Sequence, residues 1–128
     1  MLNRSGISKS TFTAPKQILA NVELQSSVGC IVPQSLGVAV GTQKIAKAGT
    51  PIKIDLNNLQ TAVQAATGSV ALNAVLLHDV DVTAGSANGT ALIFGFVNVN
   101  RVESDVATLI TTAAAASGRS PLITFMKV

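Results

Sequence analysis

The sequence predicts a mainly β domain of the β-rich α+β class, with one helix in its C-terminal half. Three observations predict it. Val, Ile and Thr number 15, 9 and 12 of the 128 residues, and these side chains fit a pleated sheet. Short apolar runs recur between Gly, Pro, Ser and Asn clusters, which is strand and turn spacing. Only one segment, about 104–117, combines helical periodicity with signals at both ends.

Taken in order, residues 1–20 read as a basic, flexible arm and residues 21–128 as a single domain. The arm is rich in Ser, Thr and Lys, lacks helical spacing and contains Pro15. Within it "STFTA" has one aromatic, Phe12, and an extended bias. It can add as a strand to another protein's sheet edge, or serve as a leader without a role. "NVELQ", "VGCIV" and "GVAVG" then read as short strands. In "QKIAKAGTPIKID" the first part alternates, "AGTP" turns and "IKI" alternates again.

"DLNNLQTAVQAATG" admits two readings. Asp55 can cap a helix with Leu56, Leu59 and Val63 on one face and Gly68 at its end. "TAVQA" is also an acceptable strand, and the paired Asn residues weaken the helix. Next, "ALNAVLLHDVDV" and "TALIFGFVNV" form the longest hairpin candidate, joined by "TAGSANG". In the second run Leu92, Phe94 and Phe96 share one face, and Ile93, Gly95 and Val97 the other. Gly95 at mid-strand marks a bulge or a close backbone approach. In the helix, Ser104 is placed as N-cap, Asp105 suits the first turn and Gly118 suits the stop. Val106, Leu109, Ile110 and Ala113 follow helical spacing. "PLITFMKV" closes the chain as a strand beginning at Pro121.

Apolar residues make up 48% of the chain and charged ones 12%, with four Phe and no Trp or Tyr. The core must therefore use small and β-branched side chains. This balance predicts more apolar surface than one core can hide, hence an oligomer or a large partner surface. The single Cys30 excludes an internal disulfide and reads as a small buried hydrophobe. "MLNRSGISKS" has no apolar core of a secretory signal, so synthesis in a cytosol is expected. The net charge of +3 lies in the arm: Arg4, Lys9 and Lys16 precede the first acid, Glu23. Three spread charges without aromatics fall short of a nucleic-acid patch, and an acidic protein surface is the better partner.

"LLHDVDV", residues 76–82, holds the only histidine beside two aspartates. In a strand, Asp79 and Asp81 share a face and His78 points to the other. Two carboxylates are too few for a cation site. No nucleophile elbow or phosphate loop is present in the chain. The residues therefore predict a non-enzyme without metal or cofactor.

Two stretches are more distinctive than composition. They are "KAGTPIKID", residues 47–55, and "AVLLHDVDVTAGSANGTALIFGFVNVNRVESDV", residues 74–106. In this order and spacing they resemble the head decoration (cement) proteins of tailed bacteriophages, the group typified by the lambda head decoration protein D. The likeness is greatest to versions carried by phages and prophages of Gram-positive bacteria, and it covers roughly residues 20–128.

The resemblance implies a small β-tulip, barrel-like fold. It implies a homotrimer on the outer surface of the expanded capsid, at three-fold and quasi-three-fold positions, clamping capsid subunits against packaged DNA. The partners implied are the major capsid protein and the chain itself, with no nucleic acid, membrane, cofactor or enzymatic activity. The location implied is the virion exterior, after synthesis in a bacterial cytoplasm. By position alone, the arm corresponds to the family's capsid-binding element, with Arg4, Lys9, Thr11, Phe12, Thr13 and Lys16 as the candidate contact residues. Over 55–68 the resemblance favours a strand around Thr61–Ala65. The main rival is a head-surface adhesion or display module that binds glycans or host surfaces. Such a role calls for exposed aromatics or an appended domain, and neither is read here.

Overall fold

The computed structural model describes residues 18–20 and 25–127. The described chain is β-rich, with one α-helix. Its strands are β1 (Ser26–Val32), β2 (Val38–Val40), β3 (Gln43–Ala46), β4 (Pro51–Lys53), β5 (Gln64–Ala65), β6 (Ala74–Leu76), β7 (Val80–Asp81), β8 (Ala87–Asn98) and β9 (Ile123–Met126). The helix α1 spans Ser104–Ala114. A six-stranded sheet has the order β1-β8-β6-β4-β5, with β9 also paired to β8. A three-stranded sheet has the order β2-β3-β7. Pairing is antiparallel except for β8 with β9. The two sheets stay open and do not close into a barrel.

The layers follow from alternation along β6. Val75 and Leu77 belong to a core shared with Leu92, Val97, Ile123 and Ala113 of α1. Ala74 and Leu76 belong to a second core shared with Cys30, Ile52, Val80 and Val82. The large sheet is thus covered by the helix on one face and by the small sheet on the other. Each fully buried Leu, Ile or Val contributes roughly 1.5–3 kcal/mol relative to exposure. Cys30 is free and buried, and burial pushes its thiol pKa up, as expected of a small core side chain.

Ile18 and Leu19, placed at the end of the arm by the sequence, are buried in the first core. Leu19 bridges to Val97, and the Asn98 amide donates to the Ile18 carbonyl at 2.8 Å. Residues 18–20 therefore run along the same edge of β8 as β1. The strand expected at "NVELQ" falls mostly on residues outside those described.

Four local expectations are corrected. First, the run 71–82 is two strands: β6 lies in the large sheet, and β7 crosses to pair with β3 in the small one. The hairpin with β8 is therefore short, pairing Val75 with Leu92 and Leu76 with Ala91. Second, the ladder between β1 and β8 skips Ile93, pairing Ser26 with Phe94 and Ser27 with Leu92. This bulge, followed by Gly95 at φ 157°, switches the alternation. Leu92 and Val97 consequently face the same core, while Phe94 is exposed. Third, Ser104 is the first helical residue; Glu103 is the N-cap, with no side-chain cap bond. Fourth, the helix stops at Ala114, three residues before the expected end. The Ala116 amide turns back to the Ala113 carbonyl at 3.2 Å, and Gly118 at φ 83° reverses the chain.

The ambiguous segment resolves into turns and a short strand. The Asp55 side chain accepts from the Asn57 amide at 2.9 Å, and Asn58 accepts from the Gln60 amide at 3.1 Å. These local bonds compete with a helix and leave Leu56 exposed. Only Gln64–Ala65 pairs as a strand, within the range the resemblance favoured.

Candidate functional site

The two distinctive stretches meet at one corner. β3 belongs to the small sheet and β4 to the large one, so residues 47–50 must carry the chain between them. Thr50 closes this turn, its hydroxyl donating to the Lys47 carbonyl at 2.6 Å. Gly49 takes φ 92°, and its amide donates to the Leu76 carbonyl at 2.7 Å. A Cβ there would lie 2.5 Å from Val102 Cγ1 and 3.2 Å from Val106 Cγ1. Glycine is thus needed both for the backbone conformation and for the approach of the segment entering α1.

Charge ties the same corner to the helix. Lys47 Nζ lies 3.1 Å from Glu103 Oε1 and 3.0 Å from Asp105 Oδ2. The Lys47 side chain is 13% exposed, whereas both carboxylate side chains are near half exposed. Hydrogen bonding to Asp105, then to Glu103, raises the Lys47 pKa above its ordinary value. Hydrogen bonding to Lys47 lowers the Asp105 pKa. Asp105 Oδ1 also accepts from the Val106 amide at 3.0 Å. The expected placement of Asp105 in the first turn is met, but its main partner is 58 residues away.

His78, Asp79 and Asp81 do not converge on a site. Asp79 Oδ1 accepts from the Ala48 amide at 2.7 Å, locking β6's exit onto the corner. Asp81 Oδ1 accepts from the Thr83 hydroxyl at 2.6 Å and the Thr83 amide at 2.9 Å. Those bonds lower the Asp81 pKa, the hydroxyl contributing most. Thr83 Oγ1 in turn accepts from the Lys44 amide at 2.8 Å, fastening the turn after β7 to β3. His78 is half-buried, and its Nδ1 has no hydrogen-bond partner among the described residues. Among the described residues, no group of three or more His, Cys, Asp or Glu side chains is placed to hold a metal ion. No described helix is long and apolar enough to cross a membrane.

No family model matches the chain, and no curated protein matches it. The ties of Ala48 to Asp79, Gly49 to Leu76, and Lys47 to Glu103 and Asp105 join the two sheets and the helix. Such an arrangement resists distortion.

The six arm residues singled out as contacts, Arg4, Lys9, Thr11, Phe12, Thr13 and Lys16, lie outside the described residues. The tie of Lys47 to Glu103 and Asp105 was missed by the sequence reading. Its signal was the lysine that opens one distinctive stretch and the two acids, Glu103 and Asp105, at the end of the other.

Proposed function

We propose that this chain is a structural virion protein, a decoration or cement protein of a tailed-phage head. It binds as a homotrimer to the outer capsid surface at three-fold and quasi-three-fold positions and stabilises the expanded shell. The major capsid protein is its partner. The arm adds to capsid subunits, with Arg4, Lys9 and Lys16 steering it toward acidic surface and Phe12 as its side-chain anchor.

One observation carries the reading. The two stretches that resemble the decoration family, far apart in sequence, bond to each other through Ala48 with Asp79, Gly49 with Leu76, and Lys47 with Glu103 and Asp105. A resemblance of unrelated fragments would not be expected to coincide with one interlocked corner. A cementing role also calls for a stiff body that transmits load between subunits. Side-chain bonds linking both sheets and the helix supply that stiffness.

Mixing the purified protein with expanded shells assembled from a tailed-phage major capsid protein tests the proposal. Co-sedimentation at a saturating, fixed ratio is expected. Absence of binding to expanded shells, with the protein folded, overturns it.

A further inference from the structure

The strand order of the large sheet puts β1 at one end and β5 at the other, with no ladder between them. The sheet curls enough to bring those ends together. The Val63 amide, one residue before β5, donates to the Ile31 carbonyl of β1 at 3.0 Å. Among the described residues this is the one backbone bond across the seam.

Residues 55–63 lead to this seam as a loop clamped at both ends. At the front, the Asn73 side chain accepts from the Ile54 amide at 2.8 Å and donates to the Ile54 carbonyl at 2.9 Å. At the back, Gln64 and Ala65 pair with Lys53 and Ile52. Between the clamps the bonds are local. The Asn58 amide donates to the Asp55 carbonyl and the Thr61 amide to the Asn58 carbonyl, both at 3.1 Å. Every residue from 55 to 62 is exposed except half-buried Leu59. Leu59 and buried Val63 pack into the second core, which contains Cys30. An open pocket of about 460 Å³ lies between Leu59 and Gln60 on one wall and Gly29, Cys30 and Gly89 on the other.

Stability within a fold is lowest where buried apolar contacts are few and backbone bonds are exposed. Parting the loop from β1 gives up one backbone bond and the packing of Leu59 and Val63. Parting β1 from β8 breaks a ladder of seven residue pairs. The seam should therefore open first.

We propose that residues 55–63 are a strap that lifts from the edge of β1 while both sheets stay folded, and that this motion controls access to the Cys30 thiol. With the strap closed, Cys30 is 5% exposed, and burial holds its thiol in the protonated, unreactive form. With the strap lifted, the second core opens along the pocket and the thiol meets solvent. The motion belongs to the domain itself and does not depend on what the chain binds.

The chain has one cysteine, so labelling of the native full chain with an aromatic disulfide reports this motion alone. In dilute urea the labelling rate should exceed that allowed by global unfolding at least about tenfold, and it should change little with urea because little surface is exposed. L59A removes the half-buried anchor and should speed labelling at least about tenfold, with circular dichroism unchanged. L109A, on the exposed face of α1, should leave the rate as in the wild type. Amide exchange of the unaltered protein gives a second reading should L59A misfold. The Val63 amide should exchange at least about tenfold faster than the Leu76 and Leu77 amides, which donate to the Thr50 and Thr90 carbonyls. A labelling rate that climbs with urea as steeply as global unfolding, a folded L59A protein labelled at the wild-type rate, or a Val63 amide as protected as that of Leu76 overturns the proposal.

Discussion

At the scale of single residues, the aspartates of "LLHDVDV" have structural duties that can be measured. Asp79→Ala leaves the amide of buried Ala48 without its acceptor, at a cost of about 1–3 kcal/mol. Asp79→Asn retains an oxygen there and should lose clearly less. Urea unfolding compares the two; equal stability of Asp79→Ala and wild type would deny Asp79 this role. Gly49→Ala should be worse tolerated than its single methyl suggests. The new Cβ would overlap Val102, overpacking that costs roughly 1–3 kcal/mol, with positive φ adding to it. A thermal melt of Gly49→Ala within experimental error of wild type would contradict that geometry.

At the scale of elements, the tether of α1 to the corner has a defined pH signature. The folded-state pKa of Asp105 is depressed, so its contribution is present above the ordinary carboxylate value near pH 4 and is lost as pH falls through the depressed one. Lys47 has the opposite sign. Its pKa is raised, so its contribution is complete below the ordinary lysine value near pH 10.4 and is lost as pH rises through the raised one. The stability difference between wild type and Asp105→Asn should therefore be flat from about pH 5 to 9 and shrink outside that window. A difference that grows on acidification would contradict the tether. Elements set by local sequence were legible: β2 between its glycines, the strand at "IKI", the closing strand and the body of α1. Those set by distant partners were not. The split of "ALNAVLLHDVDV" depends on Asp79 finding an amide 31 residues earlier in the chain. The faces of β8 depend on a bulge opposite β1. Ser104 looked like a cap by residue type, yet Glu103 holds that position without a side-chain cap bond, which residue preference alone does not show. The Asx turns at Asp55 and Asn58 were half legible, since the Asn pair already argued against a helix.

At the scale of the whole molecule, the fold class followed from composition and punctuation, and the central corner from where two distinctive stretches meet. In "LLHDVDV", Asp79 accepts from the Ala48 amide, and Asp81 from the Thr83 hydroxyl and amide. The burial of Ile18 and Leu19 sets where the arm can be cut. Removing residues 1–17 should leave the melting temperature unchanged and abolish shell binding. Removing residues 1–19 should also destabilise the domain, since loss of buried aliphatic side chains costs about 2–5 kcal/mol each. Three tethered arms acting together would exceed one arm's affinity by ~10²-fold or more, so a trimer with fewer arms should bind disproportionately weakly. The most direct measurement is cryo-microscopy of expanded shells incubated with the full chain. The predicted result is added density on the outer surface at the three-fold and quasi-three-fold positions, into which three copies of this fold fit. Shells without added density, or density confined to another symmetry position or to the inner surface, would contradict the decoration role.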